Sequence, residues 1–221
     1  MSKGHLISFE GLDGAGKTTQ MNLLGDWLKG HGISYIRTRE PGGTPLGGEI
    51  RQLLIHRPDL AITPLAEAFL FQADRAQHFA TLVLPYLEAG SLVITDRCFD
   101  SSIAYQGAAR GVGMDVIEQL SLLATQGRAP DLTILLDLDP TLVRERTGPQ
   151  KGGTRHRSGS PDRGEQTHFD LEAESFHRAL RKAFLALAYA HPERIRVIDA
   201  SLPPEKIHRE IVGLVERLLK G

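Results

Sequence analysis

The residues Gly11-Leu12-Asp13-Gly14-Ala15-Gly16-Lys17-Thr18 carry the clearest chemistry in this chain. They fit the phosphate-cradling pattern in which glycines bracket four free positions and a Lys-Ser/Thr pair follows. Glycine lets successive backbone N–H groups turn inward on phosphate oxygens, and a helix amino terminus adds partial positive charge. Lys17 is expected to bridge the β- and γ-phosphates of ATP, and Thr18 to place a hydroxyl on Mg²⁺, with Thr19 continuing the loop into the helix. The context fits, because the apolar run Leu6-Ile7-Ser8-Phe9 precedes the loop and an amphipathic stretch, Thr18 to Lys29, follows it. The alternative is a glycine-rich strand-to-helix turn with no ligand, which pattern and context together disfavour.

Such a loop names a phosphate donor and leaves the reaction open. No Asn-Lys-x-Asp stretch that would read guanine occurs. Further polar clusters fall after apolar runs, where a parallel sheet would present its carboxyl edge. One is Thr38-Arg39-Glu40-Pro41-Gly42-Gly43-Thr44, followed by a helix with Arg51. Another is Asp96-Arg97-Cys98-Phe99-Asp100-Ser101-Ser102-Ile103-Ala104-Tyr105-Gln106-Gly107. Between them Phe71 and Arg75 share one helix face at i, i+4. Residue chemistry alone leaves Phe71 as a stacking platform or plain core, and Arg75 as a ligand contact or half of an ion pair. Asp96 reads either as an acid ordering a Mg²⁺ shell or as a structural partner of Arg97, and Asp13 as a site acid or a solvated loop acid.

A third segment breaks the apolar rhythm. Gly148 to Gln166 is rich in Gly, Pro and Ser, and with its approach it carries Arg144, Arg146, Lys151, Arg155, Arg157 and Arg163. A run this long without apolar period is a binding loop, a lid or disorder. Beside a phosphate site we expect a lid spanning roughly residues 144–168.

These motifs, in this order and at this spacing, resemble the bacterial thymidylate kinase family, and the likeness runs on through Phe176-His177 and Ile198-Asp199-Ala200. The resemblance implies phosphoryl transfer from Mg-ATP to dTMP, giving dTDP for dTTP synthesis. It implies that Phe71 stacks on thymine, Arg75 donates to an exocyclic oxygen, and Tyr105 lies against the sugar where a 2′-hydroxyl would sit. Ser102 and Gln106 would hold the base and nearby groups, with Glu40 and Pro41 on the acceptor loop. Arg51 and Arg97 would grip the acceptor phosphate, Asp13 would serve near metal and acceptor, and Thr18 with Asp96 would serve Mg²⁺. A lid arginine would complete the clamp; Asp162-Arg163 supplies the family's acid–arginine pair, although upstream of its usual place, which His168 approaches. The family also implies a homodimer.

The elements that must position these groups read as a doubly wound parallel sheet. Short apolar runs at Leu6–Phe9, Ile33–Arg37, Leu92–Thr95, Leu132–Leu136 and Ile195–Ile198 alternate with helical stretches. Continuous apolar strands separated by helices mean a five-stranded sheet covered on both faces, here as a P-loop NTPase fold. Helices are expected at Pro64 to about Glu88, bent near Pro85, at Phe169–Ala190 behind a Thr167/Asp170 capping box, and at Pro204–Lys220. With 221 residues, 41% hydrophobic and 24% charged, the chain is expected to form one domain, residues 1–221. A net charge of −1 gives no global draw toward nucleic acid or anionic membrane. Cys98 stands alone and allows no internal disulfide, and no segment approaches a membrane span, so a cytoplasmic location is expected. The nine histidines form no metal-binding pattern.

Overall fold

The computed structural model describes residues 4–147 and 174–220, the side chains of 144–147 excepted. Strands β1 (Leu6–Gly11), β2 (Tyr35–Arg39), β3 (Leu92–Asp96), β4 (Leu132–Asp137) and β5 (Ile195–Asp199) form one sheet in the order β2-β3-β1-β4-β5. Every neighbouring pair is parallel. β1 lies at the centre, so the loop that follows it opens at the middle of the carboxyl edge.

Alternation along the strands supplies two faces. Leu6, Val93, Leu135 and Ile195 pack with α2 (Pro45–His56), α3 (Pro64–His78), α6 (Met114–Ala124) and α8 (Glu174–Ala190). Ile7, Phe9, Ile94, Ile134 and Ile198 face the other way, onto Met21, Leu24 and Leu28 of α1 (Lys17–Gly30) and Ile207, Ile211 and Val215 of α9 (Pro204–Lys220). Burying both faces is what turns a strand into a continuous apolar run.

The second strand begins two residues later than its apolar run suggests. Ile33 belongs to the close of α1: its N–H reaches the carbonyl of Leu28 over Gly32, whose φ is +67°, and its side chain packs into the core. The long helix from Pro64 is continuous to Glu88 but widens into a π segment at Phe79–Val83 before α4 (Leu84–Glu88). The irregularity occupies the turn ahead of Pro85, whose ring cannot accept the carbonyl four residues back. α5 (Phe99–Ser102) opens into a second π segment at Ile103–Ala109. α7 (Pro140–Thr147) forms the approach to the expected lid; the lid itself and the Thr167/Asp170 pair lie outside the described residues. Among the described residues no helix is long and apolar enough to cross a membrane.

Candidate active site

The phosphate loop leaves β1 through Gly11, where φ is +128° and a Cβ would stand 2.4 Å from the carbonyl oxygen of Leu136. Gly14 and Gly16 also have positive φ, and Gly16 caps α1 with no side-chain hydrogen bond. The first-turn N–H groups of α1 therefore have no side chain competing for them, the condition that makes a helix start an anion site. Lys17 is 7% exposed, and its Nζ donates to the carbonyls of Gly11 (3.2 Å) and Leu12 (3.1 Å) and to Asp13 Oδ1 (3.4 Å). Ala15 is buried, Thr18 is half-buried on the first turn, and Thr19 faces outward.

Arg97 joins this loop to the segment after β3. It sits in the left-handed region at φ +66°, held by its N–H to the carbonyl of Phe9 and by Thr95 Oγ1 donating to its carbonyl. Its guanidinium donates to Asp13 Oδ1 at 2.6 Å, to Ser101 Oγ at 2.8 Å and to the Tyr105 hydroxyl at 3.3 Å, and lies 5.2 Å from the Tyr105 ring centroid. Burial works to raise the Asp13 carboxyl, but Arg97 and Lys17 outweigh it and hold the group well below the usual carboxylate range. Tyr105 is backed by Phe176 and Phe184 at ring-centroid distances of 6.2 and 6.3 Å.

Asp96 occupies the last ladder position of β3, between Phe9 and Arg39. By alternation it shares the face of Leu92 and Ile94, the face covered by α1, whose first turn carries Thr18. Its Oδ1 is buried without a hydrogen-bond partner. An orphaned carboxylate oxygen facing the start of the phosphate-loop helix fits a divalent cation held mainly by phosphates. The described residues contain no cluster of three or more His, Cys, Asp or Glu able to bind a metal by themselves.

On the acceptor side α3 clamps the loop after β2. Glu40, 4% exposed and joined to Pro41 by a cis bond, accepts from Arg75 Nε (2.9 Å) and pairs with His78 Nδ1 (2.9 Å). His78 Nε2 reaches Thr38 Oγ1 at 2.7 Å, and Gly42 N–H donates to Asp74 Oδ1 at 3.0 Å. Burial raises Glu40, yet Arg75 and His78 together bring its carboxyl below the usual range. Asp74 goes the opposite way, to about 6, through burial and the nearby Glu40. Arg75 is 1% exposed and also donates to Gln72 Oε1 and Ser102 Oγ. Arg51 Nη1 donates to the carbonyl of Pro41. Phe71 is half-buried against the core. One turn back along α3, Glu67 accepts from Gln106 Nε2 at 2.8 Å and lines a cavity of about 230 Å³ with Leu54, Ile62 and Arg110.

The sequence-level candidates thus gather at one edge of the sheet, apart from Arg163, which lies outside the described residues. Arg75 is not half of a surface pair: it is the centre of a buried network. Sequence reasoning missed Glu10, Asp74, His78, Ser101 and Glu67. Their signal was available as charged or polar residues inside otherwise apolar runs, such as Glu10 after Leu6–Phe9. Cys98 is fully buried, and burial pushes its thiol well above its ordinary value, so it acts as a small apolar group.

The family model described as thymidylate kinase matches residues 9–211. The chain belongs to the thymidylate kinase family. A thymidylate kinase from Leifsonia xyli subsp. xyli is 50% identical over 208 residues, covering 94% of this chain and 92% of that protein. Another, from Pelobacter propionicus, is 40% identical over 212 residues, covering 96% and 94%. The crystal structure of the thymidylate kinase from Ehrlichia chaffeensis superposes with a TM-score of 0.73 at 30% identity, over 96% of this chain and 99% of that one. A five-stranded parallel sheet around a phosphate loop is the P-loop NTPase fold, so the thymidylate kinase fold expected from the motifs is the one present.

Proposed function

We propose that this kinase moves the γ-phosphoryl group of Mg-ATP onto dTMP, giving dTDP and ADP, with the roles below. The observation that carries the reading is Arg97, which bonds to Asp13 of the donor loop and touches Tyr105 of the acceptor segment. One guanidinium thus stands where two polyanions have to meet, and its planar fork suits phosphate oxygens.

The acceptor phosphate is already anionic near neutral pH, since its second pKa lies near ~6, so no strong general base is required. The work is positioning and charge neutralisation. The first-turn N–H groups of α1 and Lys17 hold the β- and γ-phosphates, Lys17 exchanging the Gly11 and Leu12 carbonyls for phosphate oxygens. Arg97 and Arg51 fix the acceptor phosphate, and Asp13 orients Arg97. Mg²⁺, met by Thr18 and Asp96, supplies charge neutralisation on the phosphates when bound. Phe71 stacks on thymine, while Arg75 meets its exocyclic oxygen by sharing the bonds it now gives Ser102 and Gln72. Gln106 holds the base edge, and Tyr105 closes the sugar side against a 2′-hydroxyl. Glu40 and Pro41 shape the acceptor loop. An arginine of the 144–168 segment, Arg163 first, adds positive charge over the ATP phosphates.

A second copy of the chain covers α3 and α6. Leu65 and Phe69 on α3, with Val116 and Leu123 on α6, expose apolar surface where these two helices pack side by side. Light scattering on the purified protein tests this, a monomer at micromolar concentration being the contrary result. The reaction is placed in the cytoplasm, in keeping with the absence of a membrane-spanning helix among the described residues.

ADP release with Mg-ATP and each deoxy- and ribonucleoside monophosphate tests the function, with Lys17→Ala as control. Turnover with dTMP far above the others, lost in the control, is expected. Slow ATP hydrolysis independent of acceptor would overturn the reading.

A further inference from the structure

Glu10 is the last side chain before the phosphate loop, and the roles assigned above make no use of it. It is 0% exposed, in the centre of the sheet's carboxyl edge. Alternation along β1 puts it on the face of Leu6 and Ser8, beneath α5 and the π segment after it. Its Oε1 accepts the backbone N–H of Cys98 at 2.7 Å, and its Oε2 is in short hydrogen-bond contact with Ser101 Oγ. Ser101 Oγ in turn accepts from Arg97 Nη1 at 2.8 Å, and Arg97 Nη1 lies 4.0 Å from Glu10 Oε2.

These contacts bracket Arg97 on both sides. The peptide immediately after Arg97 and the hydroxyl that receives its guanidinium both end on one carboxyl group. Arg97 stands in the left-handed region, which a side chain beyond glycine adopts only where its surroundings over-determine it. Released from Cys98 N–H, the turn is free to relax toward ordinary φ, and the guanidinium swings away from Asp13 and Tyr105. A buried carboxyl is costly to keep; a purely packing role at this position would be met by an apolar side chain.

We infer that Glu10 is a positioning residue for phosphoryl transfer, tying the strand that launches the donor loop to the Arg97 turn and so fixing the acceptor-side guanidinium against that loop. This rests on the role given to Arg97 under the proposed function. Glu10 touches neither nucleotide; it acts through Arg97 and Ser101.

The test is a set of double-mutant cycles read as kcat and KM. Glu10→Met keeps the volume and removes both acceptors. It is expected to lower kcat about 30-fold or more while KM for ATP changes less than about 3-fold. Glu10→Gln keeps a carbonyl oxygen for Cys98 N–H and should recover most of that loss. In an Arg97→Ala background, Glu10→Met should cost less than about 3-fold, because the residue it positions is gone. An equal cost in both backgrounds would overturn the inference. Ser101→Ala guards against a variant that does not fold, since it cuts only the link between Glu10 and the guanidinium. An approximately 10-fold loss of kcat is expected, again absent without Arg97, and wild-type turnover would count against the inference. A wild-type protein inactive on dTMP would sink the functional reading instead. The crystal structure of Ser101→Ala then decides the inference alone: an Arg97 guanidinium unmoved from Asp13 would overturn it.

Discussion

The donor cradle and the acceptor loop lie at the same sheet edge and are built by opposite means. The cradle is backbone: glycines with positive φ, uncapped N–H groups at the start of α1, and a single buried lysine lying on two carbonyls. The acceptor loop is held by side chains from elsewhere in the chain, with Asp74, Arg75 and His78 of α3 gripping Thr38, Glu40 and Gly42. A backbone site tolerates change in what surrounds it but not in its glycines. A side-chain site couples binding to the stability of the buried ion pairs that shape it. Changes in the first region should therefore separate activity from stability, and changes in the second should move both together.

The sharpest break is Lys17→Ala, expected to lower kcat by about 10³-fold or more, since it removes a charge aimed at the transferring phosphoryl. Thermal unfolding should shift little, because the carbonyls it leaves face the open phosphate cradle. A comparable loss of melting temperature would blur the comparison. Glu40→Gln comes next. Removing one partner of a buried pair costs about 3–5 kcal/mol, roughly 6–20 °C in Tm for a chain of this size. KM for dTMP should rise with it; a fall in Tm without any change in KM would detach the loop from the acceptor site.

A third prediction uses pH. Glu10 is raised to about 8, first by burial and then by Asp100, and Asp74 to about 6. Such groups support the fold while protonated, and the support fades as pH climbs from their unfolded values of 4.5 and 3.8 through the folded ones. Glu40 and Asp13 are lowered, so their contribution is present above the unfolded values and is lost as pH falls. Urea unfolding of wild type and Glu10→Gln at about pH 5 and about pH 8.5 should show the variant gaining ground at the higher pH. A constant difference would mean that Glu10 does not titrate with folding. The smallest effect belongs to Arg57→Ala. It breaks an exposed pair with Asp59 at 2.7 Å and should leave kcat and Tm at wild-type values within error.

The sequence made the two regions unequally legible for the same reason. Gly11 to Thr18 is contiguous, so its residue types alone imply strand, turn, helix and ligand class. All five strands are recognisable as apolar runs because both sheet faces are covered. Arg75 was visible, but its partners Glu40, Gln72 and Ser102 come from three separate segments that only the fold brings together. His78 and Asp74 read as ordinary polar positions of an amphipathic helix until the loop they hold is seen against them. The π segments at Phe79–Val83 and Ile103–Ala109 leave no clear mark in hydrophobic period, because one extra residue per turn shifts the pattern only locally.

Three residues other than glycine adopt positive φ: Ala61, Arg97 and Gln126. Ala61 and Gln126 follow the ends of short helices, where glycine would serve the backbone at least as well. Substituting it there is a route to a slightly more robust protein with its chemistry intact. At 97 the same exchange would relieve the backbone and discard the guanidinium. Selection for thermal endurance alone would treat the three positions as one kind of opportunity, whereas selection for turnover would protect only the middle one.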